Sequence, residues 1–233
     1  MNEDYLHFLK YKKKPSPTTL DRYLEDLEIL KEYIRDFKND KEISKTTPQD
    51  IEDFLFWLKE KDNQRAFLCC KGIAIYFEFL KRYDLQAKTV NTMWELNEKP
   101  LSLYRILNKP GWTVWFLSQK GIITVHDMLK YGDTKEKRES LAEVLEVPVE
   151  EITELVKIAE LTRIPGLKRK RARLFYNAGL DTLEKIANST TKEIIEKTSE
   201  YIEKHNFKGW PPERKEAEEA INIAKYLESR IID

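Results

Sequence analysis

The chain is poor in the residues that build small reactive sites. In 233 residues it holds two cysteines, three histidines and seven glycines. The cysteines are adjacent, Cys69 and Cys70, which excludes a disulfide framework and the ligand spacing of a zinc site. They end the apolar run Ala66-Phe-Leu-Cys-Cys, where small buried hydrophobes are expected. His7, His126 and His205 are scattered and the glycines isolated, so neither a metal cluster nor a glycine-rich phosphate loop nor a dinucleotide fingerprint is present. Net charge is also lacking, because 41 Lys and Arg balance 41 Asp and Glu. A protein of zero net charge does not coat a polyanion by bulk attraction, and any such binding has to come from a local patch. No apolar run reaches the roughly 18 residues of a membrane span. The opening Met-Asn-Glu-Asp is acidic and unlike a secretory leader. These absences predict a cytoplasmic protein with no cofactor, no metal and no membrane partner. Paired carboxylates such as Glu150-Glu151 sit among Lys and Arg, as solvated pairs on helices do. No enzyme signature survives, and the chain is expected not to be an enzyme.

Hydrophobic residues make up 41% of the chain, enough for a packed core. The Lys-, Glu- and Ile-rich, Gln-poor composition fits a thermophile and an AT-rich genome alike. Period-two runs of β-branched residues are missing, whereas i, i+3, i+4 patterns recur, so the expected fold class is all-α. Leu20, Tyr23, Leu24, Leu27, Leu30, Ile34 and Phe37 form one stripe over 18–37, with Thr18 or Thr19 as the expected N-cap. Thr47-Pro48 opens a second helix with Pro at N1, and Asn63 begins a third that runs to about Tyr83. The stretch from Asp84 to Pro100 loses this regularity and marks a boundary. The expected organisation is an N-terminal helical bundle at 1–95, then two diverged helical units at 96–146 and 147–233.

Four glycines fall at matched places. One segment carries Pro110-Gly111 and then Gly121-Ile-Ile-Thr124; the other carries Pro165-Gly166 and then Gly179-Leu-Asp-Thr182. The Pro-Gly pairs are 55 residues apart and the Gly-x-x-Thr elements 58 apart, which predicts a diverged duplication with a three-residue length difference. Helices are expected at about 134–146, 148–161 and 190–205, and a last one from Pro211-Pro212. The second Pro-Gly is followed by Lys168, Arg169, Lys170 and Arg171, with Arg173 beyond and Arg163 before. Residues 156–233 hold 16 Lys and Arg against 13 Asp and Glu. Cations at a helix N-terminus oppose its partial positive charge by roughly 0.3–1 kcal/mol each, whereas an anion is favoured there. Such crowding points to a polyanion. Lys168, Arg169, Lys170, Arg171 and Arg173 are the expected phosphate ligands, with Arg163 as a supporting cation. The run Lys10-Tyr-Lys-Lys-Lys14 reads either as an arm that touches phosphate through Lys13 and Lys14 or as a solvated linker.

Residues from about Val147 to Tyr226 resemble a family of uncharacterised domains related to the helix-hairpin-helix superfamily. The resemblance is carried by Leu161-Thr-Arg-Ile-Pro-Gly-Leu167, Ala172-Arg-Leu-Phe-Tyr-Asn-Ala-Gly179 and Ala220-Ile-Asn-Ile-Ala224, and 106–129 looks like a weaker copy. It implies a compact helical unit that docks on DNA without reading sequence, the hairpin amides near Gly166 holding one phosphate. Lys168 stands where that superfamily has a second glycine and restricts positive φ; side-chain contacts from Lys168 or Arg169 would replace the amide grip. The first copy, Gly111-Trp112-Thr113-Val114-Trp115, has no cation. Its tryptophans read as packing residues, in a structural or protein-contact unit. Residues from about 3 to 90 are similar to the N-terminal core-binding domain of tyrosine recombinases, on Ser16-Pro-Thr-Thr-Leu-Asp-Arg-Tyr23, Thr47-Pro-Gln-Asp-Ile51 and Asn63-Gln-Arg65. That resemblance implies a bundle that clasps DNA, with Arg65 and Lys71 on the DNA-facing helix. The catalytic His-x-x-Arg pair of that family is absent. DNA, as duplex rather than single strand, is therefore the expected partner, contacted without catalysis. The alternative is a protein-interaction adaptor whose exposed aromatics, from among Trp112, Trp115 and Trp210, anchor a partner helix.

Overall fold

The computed structural model describes residues 3–106 and 111–232. Among the described residues are fourteen α-helices and no strand, only two isolated bridges. The fold is all-α. The chain divides into two compact units, Met1–Asn97 and Glu98–Asp233.

The first unit begins with α1 (Glu3–Phe8), which runs into a π-helical turn, Leu9–Lys13. The Lys10–Lys14 run is therefore not an extended arm. Tyr5 and Leu9 are buried, Lys14 closes the turn with a left-handed φ of 49° and an N–H bond of 2.8 Å to the Leu9 carbonyl, and Lys13 pairs with Glu78. Next comes α2 (Pro17–Phe37), capped by Ser16, whose hydroxyl accepts the Thr19 amide at 3.3 Å. The cap lies before Thr18 and Thr19 because Pro17, lacking an N–H, is suited to the first helical position. α3 (Pro48–Lys61) starts as expected, with Thr47 and Asp50 in a reciprocal capping box. Burial works to raise the Asp50 pKa, but the Lys41 ammonium and the Thr47 amide and hydroxyl outweigh it and hold the carboxyl well below the usual range.

α4 (Asn63–Phe79) ends before the expected Tyr83. Lys81 takes a left-handed φ of 56°, and the Arg82 guanidinium turns onto the carbonyls of Ser44 and Thr46 at 2.6 and 3.1 Å. The stretch expected to be irregular holds α5 (Tyr83–Glu95), packed on α3 and α4. Its periodicity was masked by buried polar residues. Gln86, Thr89 and Thr92 lie in the core, and the two threonine hydroxyls donate to the carbonyls of Leu85 and Lys88, at 2.7 and 3.1 Å. A hydroxyl that returns its bond to the preceding helical turn is buried at little cost. Cys69 and Cys70 are fully buried between α2, α3 and α4 as small hydrophobes.

The second unit holds α6 (Leu103–Ile106), α7 (Trp112–Gln119), α8 (Val125–Gly132), α9 (Lys135–Leu145), α10 (Val149–Leu161), α11 (Lys170–Asn177), α12 (Leu183–Ala187), α13 (Thr191–His205) and α14 (Arg214–Ala224). α10 is the central element. It packs against α8, α9 and α11, so one core runs across residues 146 and 147. Residues Ile152, Val156, Ile158 and Ala159 are completely buried there. α14 starts after Pro211 and Pro212, not on them, with Glu213 and Glu216 forming its capping box. A residue before proline disfavours helix, and the helix begins only where a carboxylate serves the free amides.

Candidate nucleic-acid interface

The duplication is visible as geometry. α7 and α11 are each eight residues long, and both are followed by a glycine at positive φ, 76° at Gly121 and 80° at Gly179. In each copy the next residue closes the same backbone bond, Ile122 to Leu117 at 3.0 Å and Leu180 to Phe175 at 2.9 Å. Thr124 and Thr182 then cap α8 and α12. The helical termination by a left-handed glycine is that of the Schellman motif.

The Pro-Gly turns differ. Pro110 lies outside the described residues. Gly111 is the cap of α7 at a φ of −87°, whereas Gly166 has a φ of 83° and α11 begins only at Lys170. The three-residue difference between the copies is thus Leu167, Lys168 and Arg169, inserted between the glycine and the helix. Ile164 and Leu167 are buried, and the Leu167 amide bonds the Ile164 carbonyl at 3.1 Å. These two anchors hold the turn in the core and leave Lys168, Arg169 and Lys170 on the surface.

Arg169 is the cap of α11, with φ 50° and ψ −118°. The positive φ falls here and not at Lys168. That backbone region suits glycine, and the matching cap in the first copy, Gly111, does not adopt it. A non-glycine residue held there costs about 1–3 kcal/mol. Arg169→Gly is expected to raise stability by about 1 kcal/mol after the entropy of the freer unfolded glycine is subtracted. A urea unfolding curve checks this; a loss of stability would mean that the arginine side chain holds the turn.

The other expected ligands are already engaged. Arg171 donates to Glu216 at 2.7 Å, and Arg173 pairs with Glu154. Arg163 is 3% exposed and donates to Glu160 at 2.7 Å and to the Glu228 carbonyl at 2.9 Å. It is a core residue and not a supporting surface cation, because a buried carboxylate needs a neutralising partner. By contrast no ion pair involves Lys168, Arg169 or Lys170 among the described residues, and all three are exposed. In the first unit Arg65 turns inward onto the buried Asp26 and lies 3.5 Å from Glu25. Lys13 is paired, as described above, while Lys14 and Lys71 are exposed. Of the eleven candidate positions, Lys14, Lys71, Gly166 and Lys168–Lys170 present open surface.

Sequence reasoning missed the other wall. A groove of about 420 Å³ is lined by Lys168, Arg169, Lys170 and Arg171 on one side and by Phe207, Lys208, Gly209 and Trp210 on the other, over Leu174. Trp210 is 77% exposed. The one sequence signal was Lys208-Gly-Trp210 before two prolines, and nothing local connects it to residue 168. In the first copy, the tryptophans are not packing residues: Trp112 is 78% exposed and Trp115 46% exposed, with their rings edge to face at 6.3 Å. Among the described residues no helix is long and apolar enough to cross a membrane, and no group of three or more His, Cys, Asp or Glu is placed to hold a metal.

Residues 3–93 match the family model described as phage integrase, N-terminal SAM-like domain. Residues 116–227 match a domain family of unknown function, DUF4332. Both resemblances read from the sequence are thus recovered, and the second match extends upstream over part of the weaker copy. ATP-dependent DNA helicase Hel308 of Pyrococcus horikoshii is 33% identical over 148 residues, which is 63% of this chain and 19% of the helicase. The chain therefore spans about a fifth of the length of that relative. No solved structure matches.

Proposed function

We propose that this chain is a non-enzymatic DNA-binding protein that grips the phosphate backbone through Lys168, Arg169 and Lys170. One observation carries this reading. In a chain of zero net charge, the three cations beside the Pro165 turn are exposed without an ion pair, and Arg169 is held there on a strained backbone. Cations crowded on a helix start repel each other and the helix dipole, and a phosphate relieves both. The DNA named for the helicase relative and the integrase-type first unit support the same polyanion. Lys14 and Lys71 are the further contacts on that unit, with Arg65 and Lys13 supporting the fold. Arg171 and Arg173 are neutralised by Glu216 and Glu154 and add no net charge to the grip.

The test is fluorescence anisotropy with labelled DNA across a salt series. Each phosphate neutralised adds about 0.9 to the log–log salt slope on duplex and about 0.7 on single strands. Replacing Lys168, Arg169 and Lys170 together by Ala is expected to lower the slope by about 2–3. An unchanged slope would refute their role. The exposed pair Trp112 and Trp115 favours a second reading, an adaptor whose aromatic patch seats a partner helix. It is preferred if the wild-type chain shows no salt-dependent binding near micromolar protein.

A further inference from the structure

We propose that the groove between the Pro165 turn and the Phe207–Trp210 loop receives unpaired DNA, with one base stacked on Trp210 and the flanking phosphates on Lys168, Arg169, Lys170 and Lys208. This rests on the DNA-binding reading above and narrows its ligand. The duplex expected from the two resemblances is a poor match for these walls. A duplex offers phosphates outside and hides the faces of its bases, whereas this groove is lined by exposed cations, by the exposed ring of Trp210 and by the apolar Leu174 and Phe207.

The indole stands on a well-held loop. Asn206 ends α13 at a left-handed φ of 48°. The amides of Phe207 and Gly209 bond the carbonyls of Ile202 and Phe207 at 3.1 and 2.9 Å. The Phe207 ring meets Tyr201 edge to face at 5.9 Å, and the Tyr201 hydroxyl accepts from Asn177 of α11 at 2.9 Å. Pro211 and Pro212 follow and restrict the backbone. The loop is thus tied to α11, the helix that follows the cationic turn, while the 77% exposed indole contributes little to the core. A large aromatic kept in water beside three unpaired cations has the composition of a stacking platform with an electrostatic rim. The groove, about 420 Å³, falls within the roughly 300–1,000 Å³ of sites that enclose small ligands.

Two labelled probes of the full chain distinguish the outcomes: a thymidine 12-mer and a hairpin duplex of comparable length. Trp210→Ala is expected to weaken binding of the 12-mer about 10-fold, the effect of losing one base stack, with its salt slope and the hairpin affinity unchanged. Trp210→Phe is expected to recover most of the loss, since the ring is restored. Unchanged 12-mer affinity in Trp210→Ala, with the triple Lys168/Arg169/Lys170 variant still weakened, would overturn the stacking proposal and leave phosphate binding standing. Equal weakening of both probes would likewise overturn it. No binding of either probe by the wild-type chain would remove the DNA-binding reading itself.

Discussion

Arg163→Ala is expected to destabilise the second unit by about 3–5 kcal/mol, the range found when one partner of a buried ion pair is removed. The Arg163 and Glu160 side chains are both 2% exposed, so the remaining carboxylate could not be reached by water. The pair also ties down the end of the chain. Arg163 donates to the Glu228 carbonyl, and Glu160 accepts the Arg230 amide at 2.9 Å. Losing the arginine therefore frees the residues after α14 as well as stranding a charge. Urea unfolding followed by circular dichroism measures the loss. The double variant Glu160→Gln with Arg163→Met should cost much less, because no uncompensated charge is left behind. A loss below about 1 kcal/mol for the single variant would mean that the pair behaves as an exposed one. Unfolding together with the salt series of binding separates two roles for one arginine. A phosphate ligand alters the salt slope of binding and leaves stability alone; Arg163 is expected to do the reverse.

The second large effect is a pH dependence in the first unit, centred on Asp26. This carboxylate of α2 is completely buried and accepts from Arg65 of α4. Burial pushes its pKa up to about 6, even though the bond to Arg65 and the charges of Arg65 and Arg22 work to lower it. In the unfolded chain the group titrates near its ordinary value of about 4. The folded chain thus holds the proton more tightly. The stabilisation from Asp26 is complete below about pH 4 and is lost as pH rises through about 6, on the order of 2–3 kcal/mol in all. Asp50 acts in the opposite sense but at lower pH, since its depressed pKa confines its effect to the acid side of about 4. Between pH 7.5 and 5 the first unit should therefore gain stability. Hydrogen exchange of the α2 and α4 amides at the two pH values reads this directly, and Asp26→Asn should abolish the difference. Protection that stays level or falls at pH 5 would show that Asp26 is ionised in the folded chain throughout. A methyl on Gly72 would collide with the Asp26 side chain, so this buried network leaves no room for a larger residue.

Much of the fold was legible because helices announce themselves locally. The stripe from Leu20 to Phe37, the Thr47-Pro48 start and the repeated Gly-x-x-Thr elements each act within one or two turns, and each is where periodicity or capping chemistry puts it. α5 was illegible for a reason equally local. Gln86, Thr89 and Thr92 read as surface residues, yet all three are buried, the two threonine hydroxyls being served by carbonyls of the preceding turn, and no pattern of apolar letters reveals that. The Lys10–Lys14 run misled in the same way, since Leu9 and the Lys13–Glu78 pair draw it onto the bundle.

The candidate site divides along similar lines. The sequence alone determined that charge is crowded after Pro165 and that the turn belongs to a duplicated helical unit. Only the tertiary structure decided which cations are available. Arg171, Arg173 and Arg65 find carboxylates distant along the chain, Arg163 is buried on Glu160 and the distant Glu228 carbonyl, and Trp210 arrives beside Lys168 from another loop. Helix starts and stops depend on neighbours three or four positions away, whereas the neutralisation of a charge depends on whatever side chain packing brings within a few ångströms.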